Sequence, residues 1–288
     1  MAARPRTLPA AVAPVLVGTA AAVEASDELR VGAFIAALVG SVFIQIGTNL
    51  ANDYSDAKRG ADSVDRLGPV RVTASGMVAP RRVLVATWVA FAVAVAAGVY
   101  LTAVAGPVIL AVGAVSILAG VLYTGGPRPY GYAGLGEAFV FLFFGLVAVN
   151  GSYFVQVERL DWLPFALSVP VGCLATAILV VNNVRDIDTD RRAGKLTLAV
   201  RLGRPRARAL YTALIVAAFL GLPVALLAAG GPAWGLLALV SLPLAPRPLG
   251  AVRRRTDGPS LNLALAATGA LLAAFSVLLT GGLLLASV

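Results

Sequence analysis

The chain has 288 residues, 59% hydrophobic and only 13% charged, and its mean hydropathy of +0.88 leaves too little polar surface for a water-soluble domain of this length. The formal charge of +9 does not point to nucleic acid, because the basic residues sit in short loops between apolar runs, where they set orientation in a bilayer. With no histidine and a single cysteine, Cys173, imidazole chemistry and an intramolecular disulfide framework are both excluded. The broad class is a polytopic, all-α membrane protein, and carboxylates, amides, phenols and cations must carry its chemistry.

In chain order, Arg4, Pro5 and Arg6 precede a first apolar segment, Leu8 to Val23. Basic residues before an apolar core resemble a signal peptide; we read a retained first helix, because it fits the topology that follows. Further spans of about 20 residues run from Gly32 to Asp53, Val83 to Ala103, Pro107 to Tyr123, Leu135 to Phe154, Leu163 to Asn183, Arg208 to Ala228, Ala233 to Leu249 and Leu261 to Leu285. That gives nine. With a cytoplasmic N-terminus, only Arg30 and Arg159 of the 23 basic residues fall outside, where the acids Glu24, Asp27, Glu28, Glu158 and Asp161 also lie.

Helices two and six each end in an Asn/Asp cluster, and Pro-Arg-Pro follows helices four and eight at 127–129 and 246–248. This weak repeat predicts one integral membrane domain of two four-helix halves, 1–133 and 134–255, with a ninth helix appended at 261–285. The abundance of Ala, Gly and Val permits close backbone approach in lipid.

The two clusters carry the chemistry. After the apolar run Val31 to Ile46 come Asn49, Asn52, Asp53, Asp56, Asp62 and Asp65; in a helix Asn52 and Asp56 are i, i+4 neighbours, and Asp53 and Asp56 are i, i+3. After Val169 to Val181 come Asn182, Asn183, Arg185, Asp186, Asp188 and Asp190, with Asn182, Asp186 and Asp190 on one stripe. Helix ends are often simply polar. The same spacing on corresponding helices of two halves argues for a site, since closely spaced carboxylates repel and need cations. Carboxylate and amide oxygens suit a hard divalent ion such as Mg²⁺. Arg66, Arg71, Arg128, Arg185, Arg191, Arg192 and Lys195 flank the clusters. Each alone is explained by orientation; together they frame an anionic ligand. Acids with metal and a ring of cations can bind and ionise a diphosphate, and at a membrane surface a polyprenyl diphosphate is the expected substrate.

These residues carry a resemblance. Asn-Asp-Tyr-Ser-Asp at 52–56 and Asn-Asn-Val-Arg-Asp-Ile-Asp-Thr-Asp at 182–190 are similar to the paired Asp-rich motifs of the UbiA-type intramembrane prenyltransferases. Arg-Pro-Arg-Thr-Leu-Pro-Ala at 4–10, Asn-Leu-Ala-Asn-Asp-Tyr at 49–54, Tyr-Thr-Gly-Gly-Pro at 123–127 and Ala-Gly-Lys-Leu-Thr-Leu at 193–198 resemble the 1,4-dihydroxy-2-naphthoate branch. The general motif has a third Asp at the position of Gly60; here the acid is Asp62, a shift the naphthoate branch shares. The resemblance implies that Asn52, Asp53, Asp56, Asp62, Asp186 and Asp190 hold Mg²⁺. It implies that Asn52, Arg71, Arg128, Asn183 and Lys195 contact the diphosphate, and that Tyr123, Tyr130 and Tyr132 face an allylic cation or orient the aromatic acceptor. Asp53, Asp56, Asp186, Asp190 and Tyr123 would be catalytic. The implied reaction joins a polyprenyl diphosphate to 1,4-dihydroxy-2-naphthoate in a bacterial inner membrane, with the N-terminus and active site cytoplasmic; oligomeric state is left open. It requires the tips of helices two and six to lie together on one membrane side. The competing readings are another acceptor (4-hydroxybenzoate or haem), a cation-coupled transporter, whose acids would sit near the midplane, and a phosphatidyl-alcohol transferase, whose glycine-containing Asp motif has no counterpart here.

Overall fold

A computed structural model of the chain describes residues 4–60, 67–68 and 70–287. The described residues are helical throughout, without strands. A 3₁₀ turn, Pro5–Thr7, leads into α1 (Pro9–Ser26), followed by α2 (Val31–Lys58), α3 (Pro80–Ala105), α4 (Val108–Leu122) and α5 (Gly136–Val157). Next come α6 (Trp162–Arg192), α7 (Leu198–Ala228), the bent pair α8 (Ala233–Leu244, 3₁₀-wound, and Pro246–Arg254) and α9 (Gly258–Ala286).

Seven of these helices are long and apolar enough to cross a membrane, and the pair forming α8, bent by 43°, supplies an eighth. The 15-residue α4 stands where the fourth span, Pro107 to Tyr123, is expected. It is the shortest, about 22 Å at 1.5 Å per residue. Helix starts follow local chemistry. Pro9 and Pro80 occupy first turns, where no amide donor is needed, and the Asp257 carboxylate caps α9 by accepting from the Ser260 amide at 2.8 Å. Two expected boundaries move. α7 begins at Leu198 rather than Arg208, because the basic 201–208 stretch is helical beyond a break at Gly203, whose φ of 76° suits glycine. α2 runs on to Lys58, so its 28 residues reach about 42 Å and carry the acids past the apolar part of the span.

The core forms around α6, the most buried span, packed by α1, α5, α7 and α9. Leu174, Ile178, Leu222, Leu272 and Phe275 are at or near zero exposure there, and Tyr211 meets Thr268 across it at 2.8 Å. α5 and α6 approach so closely that a Cβ on Gly145 would lie 2.8 Å from the Gly172 Cα; at this level α5 winds as a π-helix over Phe141–Val147. The largest packed pairs are α2 with α3 and α6 with α7. At the far end, Ala33, Leu101, Ala105, Ile109 and Val155 close a small second cluster among α2, α3, α4 and α5, and Arg30 pairs with Glu158 at 2.6 Å. α2 and α6 are not a main packed pair; a cavity separates them where a substrate needs room.

Candidate active site

The last two turns of α2 are tied down on every side. Asn52 Oδ1 accepts from the Thr124 hydroxyl at 2.8 Å. Asp53 accepts from the backbone amides of Val72 (3.2 Å) and Thr73 (3.0 Å), so both its oxygens fasten the loop that precedes α3. That loop delivers Arg71 to Asp56. Asp56 Oδ2 receives Arg71 at 2.8 Å and Lys195 at 3.0 Å, while Oδ1 accepts from the Tyr132 hydroxyl at 2.7 Å. All three partners come from outside α2, and Lys195 follows the second acidic cluster. The Lys195 ammonium also lies 5.0 Å from the Tyr132 ring centre.

The end of α6 is organised by Arg185, which is 1% exposed. It binds Asp186 through two parallel contacts, 2.8 Å to Oδ1 and 2.6 Å to Oδ2, and adds Asn182 at 2.8 Å and Asn262 of α9 at 2.7 Å. Asn262 reaches back to the Leu67 carbonyl at 3.0 Å, linking α9 to the loop after α2. The Lys195 amide bonds to the Asp190 carbonyl at 2.8 Å, and the Leu196 amide to the Tyr132 carbonyl at 3.0 Å. The tight turn at Gly194, φ 71°, thus sets Lys195 between the two clusters.

Beneath these residues lies a cavity of about 330 Å³. Asn49, Asn52, Asp56, Arg71, Asn182, Asn183, Asp186, Asp190 and Lys195 line its mouth. Tyr123, Tyr130 and Phe139 form one wall, with ring centres 5.4 and 4.0 Å apart in succession. The Tyr130 hydroxyl donates to the Ala119 carbonyl at 2.9 Å, and burial pushes its pKa above the ordinary phenol range, so it stays protonated. The lumen continues past Ile44 and Gly40 of α2, Ser116 and Gly113 of α4 and Gly151 of α5 to Leu101, Ile109 and Val155 at the far end. It therefore follows α2 from Asp56 to Ala37, about 28 Å of helix.

Most of the expected site residues meet in this one place: Asn52, Asp56, Arg71, Tyr123, Asn183, Asp186, Asp190 and Lys195 share the cavity. Two expectations come out differently, and a third falls outside what the structure describes. Asp53 is turned away from the cavity to the loop amides. Arg128 is exposed and outside the lining, because Pro129 and the following 3₁₀ turn send Tyr130 and Tyr132 inward instead. Asp62, with Asp65 and Arg66, lies outside the described residues. Asp188 is exposed and pairs with Arg204 at 2.7 Å, away from the cavity. Sequence reasoning missed Glu137, Thr124 and the reach of Arg4 into the cavity. A carboxyl in the first turn of an apolar span was the available signal for Glu137; nothing marked Thr124.

Apolar helices around a long lumen, closed at one end by acids, amides and cations, define an intramembrane enzyme site for a substrate with an anionic head and an apolar tail. The model of the UbiA prenyltransferase family matches residues 11–261, and the chain belongs to that family. Among its relatives are the 1,4-dihydroxy-2-naphthoate octaprenyltransferases of Mycobacterium tuberculosis, 46% identical over 98% of this chain and 94% of that protein, and of Escherichia coli, 38% identical over 93% and 90%. Its fold is similar to a UbiA homolog from Archaeoglobus fulgidus solved bound to GPP and Mg²⁺, with TM-score 0.68 at 16% identity over 98% of this chain and 97% of that one.

Proposed function

We propose that this protein transfers a polyprenyl group from a polyprenyl diphosphate to 1,4-dihydroxy-2-naphthoate, with loss of pyrophosphate and carbon dioxide, giving demethylmenaquinol for menaquinone synthesis. One observation carries the reading: Asp56 and Lys195 on one side and Asp186 and Asp190 on the other border the mouth of a single cavity whose depth is apolar. Such a cavity fits a molecule that is a diphosphate at one end and a hydrocarbon at the other. The naphthoate acceptor is supported by relatives named for that activity across nearly the full chain.

The donor set fits Mg²⁺, being carboxylate and amide oxygens without nitrogen or sulfur ligands. Among the described residues no preformed group of three acids converges on one point. That agrees with the usual habit of Mg²⁺, which takes one or two carboxylates and completes its shell with substrate phosphates and water. Asp56, Asp186 and Asp190 with Asn52 would hold it; when bound it neutralises the diphosphate and eases departure of pyrophosphate. Arg71 and Lys195, now paired with Asp56, are placed to transfer to phosphate oxygens as the head group enters. Asp53 acts one step back, holding the Arg71 loop.

The carbon–oxygen bond to the diphosphate breaks with its electron pair leaving on pyrophosphate, and the allylic cation forms beside the Tyr123 and Tyr130 rings, whose faces are electron-rich. The naphthoate ring attacks through the carbon bearing its carboxylate. The electrons of the carboxylate bond return to the ring as carbon dioxide departs. No ring proton is removed, so a chain without histidine lacks nothing the reaction needs. The reading puts the mouth and the N-terminus on the cytoplasmic side of a bacterial inner membrane, a sidedness supported by the charge asymmetry of the loops.

Purified protein offered dihydroxynaphthoate, 4-hydroxybenzoate and haem together, with a polyprenyl diphosphate and Mg²⁺, tests the acceptor. The expected product is a prenylated naphthohydroquinone without its carboxyl group; exclusive prenylation of either other acceptor overturns the naphthoate assignment.

A further inference from the structure

One buried acid, bonded to a residue of the cavity lining, is not used above. Glu137 opens α5 and is only 6% exposed. Among the described residues, its Oε1 accepts from Asn183 Nδ2 at 2.9 Å, its Oε2 is buried without a hydrogen-bond partner, and no cation pairs with it. A carboxyl kept at such a position within a span is expensive, and function is the first explanation to test. Because Glu137 Oε1 is the acceptor, Asn183 turns its amide nitrogen to Glu137 and leaves its oxygen for the cavity that it lines. An amide oxygen cannot donate to a phosphate. A hydroxyl donor matches that oxygen, while the second Nδ2 hydrogen still suits the diphosphate contact expected of Asn183.

The neighbouring geometry is of the same kind. Tyr123 lines the cavity, and its hydroxyl lies against Gly136, where an added Cβ would stand 3.4 Å from it and 3.2 Å from the ring. Glycine at 136 thus lets the phenol settle one residue from Glu137. We propose that Tyr123 and Asn183 form the subsite for a ring hydroxyl of the aromatic acceptor, with Glu137 as the positioning residue that fixes the Asn183 amide. The inference rests on the proposed transfer to a hydroxylated aromatic ring and adds the residues that recognise it.

Steady-state kinetics on the full-length protein with dihydroxynaphthoate, a polyprenyl diphosphate and Mg²⁺ separates the possibilities. Glu137→Leu and Asn183→Leu each raise the naphthoate KM about tenfold, as one lost hydrogen bond does, while the diphosphate KM and the Mg²⁺ requirement stay within about twofold. Glu137→Gln, whose carbonyl can accept the same amide bond, recovers most of the loss. A purely structural acid would lower kcat and thermal stability without splitting the two KM values. Equal rises in both KM values, or a Glu137→Gln enzyme as impaired as Glu137→Leu, overturns the proposal; if Glu137→Leu does not accumulate, Asn183→Leu and Glu137→Gln decide it. Wild-type protein that ignores naphthoate sinks the acceptor reading instead, and 4-hydroxybenzoate, which keeps a ring hydroxyl, then becomes the probe for the same split.

Discussion

Asp56 is held at once by Arg71, Lys195 and Tyr132, so its removal takes from two cations, each under a tenth exposed, the carboxylate that both contact. Asp56→Ala should lower kcat about a hundredfold or more, the scale of one preorganised electrostatic contact. It should also destabilise the fold by about 3 to 5 kcal/mol, the usual result of breaking a buried pair from one side; turnover and detergent melting curves measure the two effects. Arg185→Leu should behave similarly in melting, because Asp186 then loses its two contacts with the Arg185 guanidinium. Asp188→Ala is the control. Its side chain is 60% exposed and its pair with Arg204 contributes about 0 to 1 kcal/mol, so activity and melting should be close to wild type. Spacing made Asp56, Asp186 and Asp190 legible as one site in the sequence. It did not reveal Arg185 as the holder of Asp186, since a basic residue in a cytoplasmic segment is already explained by orientation, and its burial depends on Asn262 arriving from α9.

Among elements, the loop before α3 is decisive. Asp53 fastens its Val72 and Thr73 amides, and Arg71 reaches Asp56 only because that loop is fixed. Asp53→Ala should therefore act mainly through the diphosphate KM, raising it about tenfold while the naphthoate KM changes little; proteolysis near Met77, which is exposed, should quicken in parallel. The lumen offers a second test. Gly113 of α4 lines it, and an added Cβ there meets nothing within 4 Å. Gly113→Leu should fold normally and shift preference toward shorter polyprenyl diphosphates in a competition assay read by product mass; an unchanged length profile would remove the prenyl tail from this part of the cavity. Hydropathy located the helices, because each apolar run is long and bounded by charge. It misjudged the start of α7, where basic residues hide a helix that the Gly203 break leaves lying beyond the apolar span. The turn at 130–133 that brings Tyr132 to Asp56 has no periodic signal, so the sequence does not show that the chain after Pro129 turns inward while Arg128 stays outside.

For the molecule as a whole, the two acid clusters come from distant parts of the chain and share one cavity between α2 and α6. The topology proposed from loop charge puts that cavity's mouth on the cytoplasmic side. Because the single natural cysteine, Cys173, is buried, introduced thiols report sidedness cleanly: Arg128→Cys should react with an impermeant reagent only in inside-out vesicles, and Glu158→Cys only in right-side-out ones. The reverse pattern would invert the protein. The central claim is that the acidic tips of α2 and α6 act on one diphosphate while the lumen holds its hydrocarbon and the ring gives up its carboxylate. It is tested most directly with dihydroxynaphthoate labelled in the carboxyl carbon, following labelled carbon dioxide and pyrophosphate together. Equal, Mg²⁺-dependent release of both by wild type, with neither from Asp56→Ala nor from Asp186→Ala, is the predicted result; pyrophosphate without labelled carbon dioxide, or full release by either variant, would contradict it.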